Sequence, residues 1–237
     1  MKSIFILFIL LQGLIFGQEK SFRFELFRVD ITDSGFIVLT ENDSIIFQQS
    51  FKSFSWLAKD LDLDLNDEFI IIENDSLTHS GHIIYLYNTL DDFFLVDSIV
   101  AGKTEPTIID SDEIQYPVLV SGNPDFDIFF SDLYDNYEPI NIWKYEQGEL
   151  FLANEEIYDL FISENENLTD LLTTELSPSM INCSSVKPFL SVIASLYANY
   201  LNAGENSVAV QTLKKYYPCD DYENFKQTLD ELLFIKE

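Results

Sequence analysis

From Phe22 to about Phe161 the apolar residues come in short or alternating runs, broken every few positions by Asn, Asp, Ser or Gly. That is the pattern of strands joined by turns, so this part of the chain is expected to be β-structure throughout. Three hairpins stand out: Phe36 to Gln48 turning through Glu41-Asn42-Asp43, His82 to Val96 turning near Leu90-Asp91-Asp92, and Ile140 to Leu152 turning at Gln147-Gly148. They recur about every fifty residues, which makes the chain an internal repeat.

Other residues carry the same offset. Asp60, Asp62, Phe69 and Ile70 recur fifty positions later as Asp110, Asp112, Leu119 and Val120. After each loop and strand comes an aromatic-rich hairpin arm, Ile84-Tyr85-Leu86-Tyr87 and then Ile140-Asn141-Ile142-Trp143, with a longer insertion in the second unit. Periods near fifty with several short strands point to propeller blades. A closed propeller needs about four blades or more, and about three fit here, so an open or partial propeller-like stack or a sandwich of the same units is expected.

The period changes after Phe161. Residues 163–186 read as a polar connector with one short helix around Leu168 to Thr174. Pro188 then opens a helix with Phe189, Val192, Ile193, Leu196, Tyr197, Tyr200 and Leu201 on one face, ended by Gly204. A second helix spans about Glu205 to Tyr217 and stops at Pro218; a third, capped by Asp220 or Asp221, carries Phe225, Leu229, Leu232 and Leu233. The expected organisation is a leader over 1–17, a β-repeat domain over 18–162, a connector over 163–186, and a helical hairpin plus one helix over 187–237.

The leader is read from Lys2, the unbroken apolar run Ile4 to Leu11, and a small residue, Gly17, before Gln18. The run is shorter than the ~20 residues a membrane span needs, which is the form of a secretory signal peptide. No cysteine follows it, so a periplasmic or secreted product without a lipid anchor is expected. In an oxidising compartment the two cysteines, Cys183 and Cys219, are expected to pair and to staple the base of the helical hairpin.

A formal net charge of −28 repels phosphate backbones and anionic lipid, which sets nucleic-acid binding aside. Most of the acids belong to a solvated surface. The exception is Asp60-Leu61-Asp62-Leu63-Asp64-Leu65-Asn66-Asp67-Glu68, which runs straight into the apolar strand Phe69-Ile70-Ile71-Ile72. Oxygen donors at alternate positions suit a hard cation. In a calcium loop of the DxDxDGxxD kind the ligands would be Asp60, Asp62, Asp64, the Asn66 carbonyl and Glu68. The sixth position takes glycine for a left-handed turn, whereas Leu65 stands here, at a cost of about 1 kcal/mol or more. The ligand set favours structural calcium, and the turn favours an acidic bend without an ion. Ile71 occupies the twelfth position where an EF-hand has glutamate, so an EF-hand is excluded.

The stretch Asp60 to Ile72 is similar to the acidic loop of the bacterial integrin-like FG-GAP or VCBS repeats. That resemblance implies propeller blades that often carry calcium structurally; Leu63 and Leu65 depart from the repeat pattern. The region from Asp60 onward also resembles a group of exported bacterial proteins in which an aspartate-rich repeat precedes an aromatic segment, a Pro-x-x-Ile-Trp strand and a helical tail. Here those are Phe126 to Phe130, Pro139-Ile140-Asn141-Ile142-Trp143-Lys144-Tyr145 with Gly148 and Leu150, and the C-terminal helices. It implies architecture and no activity.

No catalytic constellation is evident. His79 and His82 have no nucleophile in a recognisable motif, and two histidines alone do not make a zinc site. The aromatic stripe Phe126, Phe129, Phe130, Tyr134 and Tyr137 either caps the core or, where exposed, forms a surface for a protein or glycan partner. The leading expectation is an exported, non-enzymatic binding or scaffold protein. The alternative is a secreted carboxylate-dependent hydrolase of glycan or peptide.

Overall fold

The computed structural model describes residues 20–75, 81–90, 92–110, 115–130 and 137–234. The expected leader, His79, Asp112 and Tyr134 lie outside them. The chain divides into two compact units, residues 1–51 and 52–237.

In the first unit β1 (Lys20–Arg23), β2 (Phe27–Thr32), β3 (Gly35–Thr40) and β4 (Ile45–Ser50) form one antiparallel sheet in chain order. β2 buries Phe27, Val29 and Ile31 and leaves Arg28, Asp30 and Thr32 half-exposed, the period of two that a one-sided sheet requires. The β3–β4 turn falls at the expected Glu41-Asn42-Asp43, with Asp43 in the left-handed region at φ 59°.

The second unit contains two more four-stranded antiparallel sheets. β5 (Phe54–Lys59), β6 (Glu68–Asp75), β7 (Gly81–Asn88) and β8 (Phe94–Gly102) form one; β9 (Thr107–Asp110), β10 (Pro117–Gly122), β11 (Ile140–Glu146) and β12 (Glu149–Leu152) form the other. Both are meanders in chain order. The fifty-residue offset reappears in the pairing register: Ala58 lies opposite Phe69 in the first sheet and Ile108 opposite Leu119 in the second. One strand on, Tyr87 opposes Phe69 and Trp143 opposes Leu119. The extra residues of the second unit hold α1 (Pro124–Phe129), capped by the Asn123 side chain on the Asp125 N–H. The β11–β12 turn is the expected Gln147-Gly148, both at positive φ (56° and 83°), as a two-residue hairpin loop of primed type requires. No sheet among the described residues closes into a barrel or propeller.

The helical part begins earlier than the sequence pattern indicates. Residues read as the end of the β-domain and as a connector with one short helix around Leu168 to Thr174 form α2 (Tyr158–Glu175), an 18-residue helix that contains that short helix and whose buried face is Phe161, Asn165, Leu168 and Leu172. A polar Asn165 interrupts the apolar stripe, which hides the helical period. α3 (Cys183–Val186), α4 (Leu190–Asn202), α5 (Asn206–Tyr216) and α6 (Tyr222–Phe234) follow, the last three close to their expected bounds. Cys183 and Cys219 are bonded across a separation of 36 residues, linking the ends of the α3 to α5 segment. In the chain-entropy account that closure contributes about 4 kcal/mol. No helix among the described residues is long and apolar enough to cross a membrane.

Two apolar layers meet at the second of these sheets. On one face Leu119 and Tyr145 pack with Leu61, Ile70, Ile84, Leu86, Ile99 and Ala101. On the other, Val118, Val120, Ile140 and Ile142 pack with Ile157 and Phe161 at the start of α2. β10 is therefore buried at all six residues. A third cluster lies among α1, α2 and the C-terminal helices, centred on Leu172, Ile193, Tyr197 and Leu213.

A buried carboxylate ties the end of β8 to the start of β11. Glu138, 6% exposed, accepts the N–H of Lys103 on both oxygens at 3.0 Å, and the Thr104 N–H and Oγ1 at 3.2 Å on Oε2. Successive backbone N–H groups form an anion-binding nest of this kind. A Cβ on Gly122 would stand 2.0 Å from Glu138 Oε2, and one on Gly102 would stand 2.3 Å from it. Gly122→Ala is expected to cost about 3 kcal/mol in urea unfolding, from overpacking and displaced hydrogen bonds. Added to Glu138→Ala it should cost clearly less, the remainder coming from Thr104 Oγ1 at 2.9 Å and Thr104 Cβ at 3.0 Å; equal losses in both backgrounds would show that Glu138 is not what the added methyl meets.

Candidate metal centre

The β5–β6 loop is anchored at both ends before any ion is considered. Leu61 is 2% exposed and packs into the core between the two sheets. Its N–H donates to Glu68 Oε2 at 2.8 Å, which closes the loop from the first residue of β6 back to its second residue. Asp60 holds the middle: its Oδ1 accepts the Asp64 N–H at 3.2 Å and its Oδ2 accepts the Leu65 N–H at 3.0 Å. Thr89 Oγ1 donates to the Asp67 carbonyl.

Leu65 does take the left-handed backbone that glycine usually supplies, at φ 76°, and Leu63 does the same at φ 62°. Both side chains are exposed, Leu65 at 92%, so neither gains burial in return for the strained backbone. The turn expected to oppose a calcium-loop path is made in spite of its residue type.

Three of the five sequence-derived ligands come together. One carboxylate oxygen each from Asp60, Asp62 and Glu68 lie within 4.8 Å of one another. Asp64 is not in that group: its Oδ1 accepts the Asn66 N–H at 2.7 Å and Asn66 Nδ2 at 3.1 Å in a local turn that leaves the Asn66 carbonyl out of these bonds.

The electrostatics are those of crowded anions with little solvent. Glu68 is 4% exposed, and burial, opposed by the Leu61 N–H and reinforced by the charge of Asp62, pushes its carboxyl up to about 8. Burial and the charge of Asp64 also raise Asp62. Asp62 Oδ1 is inaccessible to solvent and has no hydrogen-bond partner. Tyr145 of β11 is raised to about 12, first by burial and then by the charges of Glu68 and Asp62. The acidic loop of one sheet thus lies beside a strand of the next.

The other sequence-derived residues are distributed differently. Phe126 and Phe130 are 0% and 4% exposed and lie in the helical core, where Phe130 meets Phe225 edge-on at 6.4 Å. Tyr137 packs against the same core half-buried, and Phe129 alone of the described members is exposed, at 47%. This corrects the surface reading of the stripe: one turn of α1 turns Phe126 and Phe130 to a common inward face, so they cannot form a continuous outer patch. Tyr134 lies outside the described residues. His82 is in β7, and among the described residues no cluster of metal-type donors includes it.

Beside the acidic loop, Asp110 at the end of β9 and Gln115 and Tyr116 just before β10 line an open cleft missed by sequence reasoning. Lys59 Nζ reaches Asp110 Oδ1 at 2.9 Å, and Gln115 and Tyr116 line the same space. The offset that carries Asp60 onto Asp110 is the sequence signal that locates it. No protein-family model, curated protein or solved structure matches this chain.

An acid raised in the fold keeps its proton longer than in the unfolded chain, so Glu68 adds stability that is fully present below 4.5 and lost as pH rises through about 8. Melting in chelator across that window should show wild type losing transition temperature relative to Glu68→Gln. Parallel curves would mean that Glu68 ionises freely.

Proposed function

We propose that this chain is an exported, non-enzymatic binding or scaffold protein in which the two sheets of residues 52–237 stack as open, propeller-like units stiffened by calcium at the β5–β6 loop. One observation carries the cation reading. A carboxylate 4% exposed at Glu68 sits with Asp60 and with Asp62, whose Oδ1 is shut from water and unpaired. Ionised together, three oxygens this close repel one another, and without a counter-charge Glu68 holds its proton instead. A hard divalent cation with oxygen ligands supplies that counter-charge. Calcium accepts six to eight ligands in flexible geometry, so the remaining positions suit water or main-chain oxygens.

The stacking reading is supported by the shared register of the two sheets and by the apolar layer between them. In a repeat array the terminal unit has an outer face that needs a cover. The start of α2 lies on that face of the sheet formed by β9 to β12, through Ile157 and Phe161. Export is supported by the disulfide, a bond characteristic of oxidising compartments.

Calcium binding to the folded state alone raises stability by mass action. At about a hundred times its dissociation constant the gain is about 2.7 kcal/mol. The full chain should melt several degrees higher in calcium than in chelator, and Asp62→Asn should remove most of the difference. Equal transition temperatures for wild type in both conditions would reject the cation reading.

A further inference from the structure

Tyr145 approaches the candidate metal centre from the other sheet. It lies in β11, is 2% exposed, and packs in the same apolar layer as Leu61, the residue between Asp60 and Asp62. The end of β7 holds both sides of that approach. Thr89 Oγ1 donates to the Asp67 carbonyl of the acidic loop, and the neighbouring Asn88 Nδ2 donates to the Tyr145 hydroxyl at 3.5 Å. Two adjacent residues therefore keep the loop and the phenol together.

The bond from Asn88 occupies the phenol oxygen as an acceptor and leaves its proton over. Among the described residues no group accepts that proton. A buried hydroxyl is expected to donate as well as accept, so this one calls for an acceptor. Burial, and then the charges of Glu68 and Asp62, keep the proton on the oxygen. Asp62 presents the opposite case, because its Oδ1 is shut from solvent and receives no donor. No hydrogen bond joins the two directly, so an oxygen species between them is what satisfies both. A water in the shell of a cation held by Asp60, Asp62 and Glu68 has the required chemistry. It accepts from the phenol, donates to the carboxylate and keeps a lone pair for the ion. Three carboxylates leave calcium several such positions to fill.

From this we infer that Tyr145 is a positioning residue of the cation centre, donating its hydroxyl proton to a cation-bound water that Asp62 also holds. The inference rests on the calcium reading of the β5–β6 loop and deepens it. Part of the centre's outer shell comes from the neighbouring sheet, so occupancy bears on the junction of the two sheets as well as on the loop.

Calorimetric titration of the full chain with calcium, wild type against Tyr145→Phe, tests it. Phenylalanine keeps the ring in the apolar layer and removes only the hydroxyl, so the two proteins are expected to melt alike in chelator. Wild type should bind calcium and the variant should bind about tenfold more weakly, the size of effect that loss of an outer-shell partner has. A hydroxyl with a structural role alone would lower the melting temperature in chelator and leave the affinity unchanged. Ultraviolet difference spectroscopy adds a readout that needs no variant: calcium should shift a tyrosine band of wild type, and Tyr145→Phe should lack that shift. Equal calcium affinities, or no tyrosine shift in wild type that binds calcium, would overturn the inference and leave the cation reading standing. Wild type that binds no calcium would remove both.

Discussion

β10 has no solvent face. All six of its residues are buried, because the sheet of β5 to β8 covers one side and the start of α2 covers the other. A strand buried on both faces must satisfy its backbone entirely within the sheet and fill both layers with apolar side chains. Pro117-Val118-Leu119-Val120 does so, with Pro117 at the strand start where a missing N–H costs least. Polar side chains brought inward bond to β10 and its neighbour β11: Asn154 Oδ1 accepts the Ile142 N–H at 2.8 Å, Asn199 Oδ1 accepts the Ile140 N–H at 3.1 Å, and Trp143 Nε1 donates to Ser121 Oγ at 3.0 Å. Two of those three bonds connect residues more than twenty positions apart, so β10 and β11 together also join distant parts of the chain.

The candidate metal centre inherits its rigidity from that arrangement. Leu61 lies in the layer between the two sheets, and Glu68 opens the strand that lies beneath it, so the loop ends are set by the core and only its middle faces water. Preorganised carboxylates are what a cation site needs, and what a free acidic turn has no reason to keep. Burial raises Glu68, nearby anions raise it further, and the cost of holding such groups together is the physical ground for expecting a counter-ion.

Much of the architecture is legible in the sequence because turn chemistry and period-two patterning are local. The Glu41 to Asp43 and Gln147-Gly148 turns, the fifty-residue offset and the helices from α4 to α6 are all written in residues close to one another. Less of the site is. Asp60, Asp62 and Glu68 converge as the loop spacing implies, whereas Asp64 is diverted to Asn66 by a short-range hydrogen bond that spacing alone does not distinguish from ligation. α2 is obscured by Asn165 on its buried face. The Glu138 nest depends on a contact across 35 residues, and no local pattern encodes it. Phe126 and Phe130 read as a stripe whose destination, core or surface, is decided by the helices that follow.

Native-state hydrogen exchange tests the central claim, that β10 welds the two sheets and the helical part of residues 52–237 into one cooperative structure. The amides of Leu119 and Val120 in β10, Ile70 in β6 and Leu196 in α4 should exchange through a single opening event with one free energy and one denaturant dependence. If the α4 amides opened at a markedly lower free energy while those of β6 and β10 stayed protected, the helical part would be a separate unit and the account would fail.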